Sequence, residues 1–576
     1  MGLPIARAAL LAVSLSLAAA CGGGGGSSSG GGPISVSPPP PPPVVRSSSA
    51  ETARFLTQAT FGPTEPEVES LRDQSFSNWI TAQQNLPLGA SALTYMDDRL
   101  VVLKAANANA NLNSTHFYEY FWREAATSPD QLRQRTKFAL SEIFVVSFAD
   151  PAVDPRGMAS YYDMLGKNAF GNFRTLLEDV SLHPMMGVYL THLGNIKEDP
   201  VTGRTPDENY AREVMQLMSL GVFALNGDGT VQKDASGNSV PSYTAGDISE
   251  LAKVFTGFSW YNATPTNSTF GGGGRTGASY TTPMIPYGNF HSLSAKTFIG
   301  TSIPASTVAD GPGELKIALD AIFNHPNVGP FISKQLIQRL VTSNPSPAYV
   351  GRVAATFNNN GQGVRGDLSA VVRAILLDAE ARNMSAGTDV NYGKVREPIV
   401  RLGNWMRTFG ATSQSGNWLV GSTSGSTSFA QSPLAAPSVF NFYRPGYTPP
   451  NTKIGNAGLV APEMQIVDEV TVAGYANSLQ TALTSGIGTG NDVRVALTGE
   501  VAIANDPAAL TERMNKLLLY GSMTAGLRQR ITDSVTGVTV PASTGTNQAA
   551  IDTALLNRAR LAVYLTMVSP DYLIQQ

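Results

Sequence analysis

The chain predicts a mainly α-helical fold: one large multi-helix domain with one or two short β-hairpins and long Gly/Ser/Asn-rich loops. Three observations lead there. From Glu51 onward, apolar residues recur three and four apart through one segment after another, the period of amphipathic helices. Runs that alternate apolar and polar residues, as half-buried strands do, are few and short. No unit repeats, which excludes a solenoid.

The 576 residues carry only 14% charged side chains and a formal net charge of -3. Average soluble proteins carry about 25%. Such a balance excludes an electrostatic nucleic-acid binder. Its Asn, Ser, Thr and Gly content is common in proteins outside the cytoplasm.

The first residues read as a processing signal, the second stretch as a linker. Arg7 and the apolar run Ala8 to Ala20 make residues 1–20 a signal peptide, too short for a permanent membrane span. Leu17-Ala18-Ala19-Ala20-Cys21-Gly22 is similar to a bacterial lipoprotein cleavage site, with Cys21 as the lipid-bearing new N-terminus. The other reading is ordinary cleavage near Ala20, leaving a stray thiol. Cys21 is the one cysteine of the chain, so an intrachain disulfide and a zinc–cysteine site are both excluded. Residues 21–49 then form a Gly/Ser/Pro tether: flexible coil to Gly32, stiff polyproline from Pro38 to Pro43. The expected place is the bacterial cell envelope, as an outer-membrane lipoprotein or a periplasmic protein, with a lipid on Cys21 as the membrane contact.

The body, residues 50–576, reads as helices in series. They are Glu51 to Thr60, Glu65 to Asn85, Ser91 to Asn111, Thr115 to Ala126, Pro129 to Phe148, Met158 to Lys167, Phe173 to Leu182 and Gly187 to Leu193. A polar helix follows over Thr205 to Gly221, then a hairpin with its turn at Asn226-Gly227-Asp228-Gly229. Thr244 to Thr256 is helical. Residues 258–313 form a long Gly/Ser/Asn/aromatic loop, of the kind that is functional or disordered, and a candidate boundary between sub-domains. Helices resume at Glu314 to Phe323, Pro330 to Val341, Ala348 to Asn358, Asp367 to Arg382 and Glu397 to Phe409. After a Ser/Thr/Gly stretch and the Pro/aromatic segment Pro433 to Pro450, four more are expected near 461–485, 507–520, 523–535 and 548–568.

The polar helix draws most attention. Thr205, Pro206 and Glu208 fit an N-cap, a first-turn proline and a capping box, and Gly221 fits the left-handed stop. Glu208 faces Arg212, and Asn209 faces Glu213 and Gln216, while apolar residues surround most of the cylinder. A polar set partly buried in this way marks a functional site or a structural clamp. Glu213, Arg212, Asn209 and Glu208 are therefore candidate catalytic residues, together with His183. The capping job makes Glu208 the weakest of them.

Familiar catalytic signatures are missing. H-E-x-x-H, the P-loop and the dinucleotide fingerprint do not occur, and G-x-S-x-G occurs only in the low-complexity tether. Of five histidines, His183 and His325 precede proline beside apolar helices, where a ring can simply fix a turn. The functional alternative brings His183, His291 and His325 together near Glu208 and Glu213 as ligands of a divalent metal ion or as acid/base groups. His116 and His192 read as surface or core. Arg396-Glu397-Pro398 reads as a buried salt-bridge corner, or Arg396 as the anchor for an anionic group of a substrate or partner.

An ordered set of segments resembles the bacterial DUF1800 family. They are Arg54-Phe55-Leu56 with Gln58-Ala59-Thr60-Phe61-Gly62-Pro63-Thr64, His183-Pro184-Met185, Glu208-Asn209-Tyr210-Ala211-Arg212-Glu213, Leu220-Gly221-Val222, Tyr243-Thr244 with Asp247, His291, Lys296, His325-Pro326 and Arg396-Glu397-Pro398. The resemblance implies a mostly helical exported protein, often encoded beside a DUF1501 partner that resembles sulfatases or alkaline phosphatases. It implies no established reaction. One departure stands out. Many relatives carry F-W-H-N-H-F where this chain has Phe138-Ala139-Leu140-Ser141-Glu142-Ile143-Phe144, so Ser141 and Ile143 replace two histidines.

Two functions compete. One is a binding, export or assembly factor of the envelope, with a DUF1501-type protein as its expected partner, which tether, low charge and aromatic loops suit. The other is a metal-assisted hydrolase acting on an extracellular polymer, with Glu208 and Glu213 as its carboxylates and the 258–313 loop as a lid.

Overall fold

Ser48 caps the first helix: its hydroxyl accepts from the Glu51 amide and the Glu51 carboxylate accepts from the Ser48 amide, so the helix Ser49–Ala59 starts two residues earlier than its apolar period suggests. The computed structural model describes residues 46–384, 389 and 391–576. The signal segment 1–20, Cys21 and the tether through residue 45 lie outside the described residues. Within them are 24 α-helices and four two-stranded antiparallel sheets, and residues 46–576 form one unit. The mainly α fold is as the sequence predicts.

One apolar cluster runs through the whole unit, from Phe61 to Tyr572. A smaller one lies under the first helix, around Phe55, Leu56, Ile80 and Leu376. A third joins Val145 to Ala436, Phe442 and Tyr443. Among the described residues no helix is long and apolar enough to cross a membrane.

Two expected helices are broken by capping side chains and a third by tertiary bonds. The segment Glu65 to Asn85 divides into Glu65–Leu71 and Phe76–Asn85, because Ser75 accepts from the Asn78 amide and restarts the helix. Asp378 does the same between Leu368–Leu377 and Ala379–Arg382. The third break shapes the site. Gln131–Ser141 stops at Glu142, and the chain then runs irregularly to Phe148. Tertiary bonds draw it off: the Phe148 amide donates to Leu434 O at 2.8 Å and the Ser147 hydroxyl to Ala436 O at 2.6 Å. The Pro/aromatic segment thereby lies against the end of this helix.

Residues 258–310 are short strands, single 3-10 turns and loops, and the next helix begins at Gly311, three residues before Glu314. Phe258–Ser259 pairs with Ile285–Pro286, and Lys296–Phe298 with Thr301–Ile303. A buried polar cluster pins them. His291 meets Thr256 O at 2.7 Å through Nδ1 and Glu314 Oε2 at 3.0 Å through Nε2, and Lys296 Nζ lies 2.8 Å from the same oxygen.

Candidate functional site

The polar helix spans Asn209–Gln216, shorter than Thr205 to Gly221 at both ends. The capping box does not form, because tertiary bonds take its residues. Asn195 holds the Asp207 backbone through both its amide atoms, at 2.9 and 3.1 Å, which keeps Thr205 to Asp207 extended. Asp207 then accepts from the Asn209 amide at 2.8 Å. Glu208 turns instead to Arg212, at 3.1 Å, and to Ser249. Gly221 adopts the expected left-handed backbone, φ 74°, where a Cβ would also meet the Phe331 ring at 2.8 Å.

The candidate residues of this helix part company. Glu208 and Arg212 form a surface ion pair, and the Asn209 amide reaches Thr191 at 3.4 Å. Glu213 is buried, one of its oxygens has no hydrogen-bond partner, and burial raises its carboxyl above the usual range against the pull of Arg212. A clamp needs a partner, and Oε2 has none among the described residues. Glu213→Gln is therefore expected to raise the Tm at pH 8, by a margin that shrinks as the pH falls through the ordinary carboxyl range and the unfolded chain takes up the proton. A fall at pH 8 in a thermal scan would contradict this.

The histidines lie in separate surroundings. His183 caps the helix Pro184–Tyr189, accepting from the Met185 amide at 3.2 Å, and burial lowers its ring to about 3. His291 belongs to the Glu314–Lys296 cluster described above. His325 accepts from the Asn327 amide at 3.1 Å, and burial first and Arg365 second lower its pKa. Among the described residues, no three His, Cys, Asp or Glu side chains are grouped to hold a metal ion. His192 is a core ring stacked on Tyr210 at 3.9 Å, and His116 serves the Asn113 cap. Arg396 and Glu397 do not pair with each other. Arg396 is enclosed between Tyr520 and Tyr572, its guanidinium 4.3 Å from the latter ring, and burial lowers its pKa.

Glu397 leads to a site that the sequence reading did not single out. Its Oε2 accepts from Gln431 at 2.8 Å and from the Tyr443 hydroxyl at 2.9 Å. The same hydroxyl lies 3.0 Å from Glu142 Oε1, which also accepts from Asn441 at 3.1 Å. One phenolic hydrogen cannot serve two carboxylates. A proton on Glu142 resolves the conflict, since Glu142 then donates to Tyr443 and Tyr443 to Glu397. Burial first, and repulsion from Glu397 second, push Glu142 up to about 8. Glu397 is equally buried, yet Lys394 and Arg135 hold it below the ordinary range. Two carboxyls thus share a site with their affinities for protons driven apart. Lys394 in turn meets Glu463 at 3.1 Å, and both side chains are buried.

Glu142 is also part of a cleft. The end of the polar helix (Gln216, Leu217), the hairpin residues Val222, Phe223, Leu225 and Val231, the helix Val328–Leu340 and the segment from Val439 to Gly446 enclose about 450 Å³. That lies within the ~300–1,000 Å³ range of ligand sites. The wall is largely apolar, and Val222, Phe223 and Val231 leave apolar surface exposed at its edge. Glu142 Oε2 and Arg339 Nε, each buried and without a hydrogen-bond partner, lie 3.8 Å apart in the lining. Ile143 lines the same cleft. The one signal available beforehand was a lone Glu inside the apolar run Phe138 to Val146.

Comparison with known proteins adds one finding. The family model described as "Protein of unknown function (DUF1800)" matches residues 54–574. No curated protein and no solved structure matches the chain.

Proposed function

We propose that this chain, which belongs to the DUF1800 family, is an exported binding protein held to the membrane through a lipid on Cys21, with the cleft as its binding site. The observation that carries this reading is the exposed apolar rim of Val222, Phe223 and Val231, continuous with an apolar cavity of about 450 Å³. Exposed apolar surface costs free energy unless something covers it, and a concave apolar cavity with a few polar groups is the usual form of a ligand site. A role in export or assembly alongside a DUF1501-type protein is compatible with such a cleft.

Hydrolysis has one observation in its favour. Glu142, a carboxyl that keeps its proton near neutral pH, lines the cavity and has the ionisation expected of a general acid. The cleft as the binding site is tested with one neutral apolar dye, N-phenylnaphthylamine, and one variant. The dye is expected to brighten on binding the full-length protein, and Val222→Asp with Phe223→Asp, both at exposed positions, is expected to abolish this without changing the circular dichroism spectrum. Dye binding that survives the double substitution would remove the cleft as the binding site.

A further inference from the structure

We propose that the cleft takes an apolar chain ending in a single carboxylate, of which a fatty acid is the simplest case, with the carboxylate at the mouth between Lys334 and Arg444. This rests on the reading of the cleft as a binding site and names its ligand class. The argument is charge set against composition. The chain as a whole carries 40 basic and 43 acidic residues, yet the cleft lining holds Lys334, Arg339 and Arg444 against the one acid Glu142.

The cations divide by position. Arg339 is buried and committed: it donates to Gln335 Oε1 at 2.7 Å and to Glu142 O at 2.9 Å. Lys334 and Arg444 are exposed, and neither side chain forms an ion pair or hydrogen bond among the described residues. Arg444 lies over the Phe440 ring, 4.6 Å from its centre, which holds the guanidinium at the cleft. Some exposed bases elsewhere, such as Arg352 and Lys316, have acidic neighbours, Asp378 and Asp320.

The interior suits a hydrocarbon chain. Leu217, Leu225, Phe331, Val439, Phe440 and Val460 line it. Glu142, carrying its proton, presents no net negative charge to that interior, so neither the chain nor its carboxylate is repelled from below. A neutral alcohol would bury the same hydrocarbon but forfeit the two cations, and a cationic head would meet them with like charge. Loss of a hydrogen bond to a charged group corresponds to about tenfold or more in affinity.

The test is calorimetric titration of the full-length protein with dodecanoate, dodecanol and dodecyltrimethylammonium. Dodecanoate is expected to bind at one site, about tenfold or more tighter than dodecanol, with the cationic amphiphile weakest. Lys334→Gln with Arg444→Gln is expected to erase the preference for dodecanoate over dodecanol while N-phenylnaphthylamine still binds. Equal affinities for the three amphiphiles in the wild type would overturn the carboxylate assignment and leave the binding site standing. Failure of the dye and all three amphiphiles to bind would overturn the binding reading itself, and the ligand class with it.

Discussion

Replacing Lys394 with Met lowers the stability by about 3–5 kcal/mol, the range for removing one member of a buried ion pair. Lys394 Nζ lies 3.1 Å from Glu463 and 2.8 Å from Arg339 O, and both Lys394 and Glu463 side chains are 2% exposed. Without the ammonium, Glu463 keeps only a backbone hydrogen bond to offset its burial, which already raises its pKa. The loss is therefore larger at pH 8 than at pH 5, where Glu463 accepts a proton at little cost. Adding Glu463→Leu removes the stranded carboxyl and is expected to recover most of the loss. Urea unfolding of the two variants checks both statements. A cost below about 1 kcal/mol for Lys394→Met, the value of a surface pair, would mean that the pair is open to water.

The second large effect is a dependence on pH. Glu142 is raised from its ordinary 4.5 to about 8 in the folded chain. Between those values the folded state holds a proton that the unfolded state has released, so this group's contribution to stability is lost as pH rises towards 8. The groups that set this are Glu397, which repels the second negative charge, and Arg339 and Lys394, which oppose it. Tyr443 and Asn441 complete the set through their hydrogen bonds to Oε1. Glu397, lowered by its neighbours, acts in the opposite sense, and its contribution is lost as pH falls. Glu142→Gln cannot lose a proton, and its amide N–H takes over the donation to Tyr443, which leaves the phenolic hydrogen for Glu397. The Tm of Glu142→Gln relative to wild type is therefore expected to rise steadily from pH 5 to pH 8. A difference that stays constant over that interval would refute the shared-proton arrangement.

Both effects lie in residues that a linear reading had little reason to join. Glu142, Lys394, Glu397, Tyr443 and Glu463 come from four separate parts of the chain. Neither helical periodicity nor a motif relates them. The polar helix, by contrast, was conspicuous in sequence because its polar residues sit at adjacent helical spacings. Once folded, that concentration divides into a surface pair, Glu208 with Arg212, and one buried carboxyl, Glu213.

Local chemistry by itself determined the helical class, most helix positions and the left-handed turn at Gly221, because periodicity, caps and glycine act over a few residues. The family also followed from sequence, since ordered segments survive without their contacts. Only the tertiary structure decided where helices break and which charges meet. Asn195 displaced the capping box of the polar helix, and Leu434 and Ala436 drew the chain away after Glu142. The cleft exists because that break lets the hairpin, the helix Val328–Leu340 and the Pro/aromatic segment close around one space. Burial then reassigned the proton on Glu142, since a carboxyl's charge depends on the dielectric and the neighbours that folding supplies.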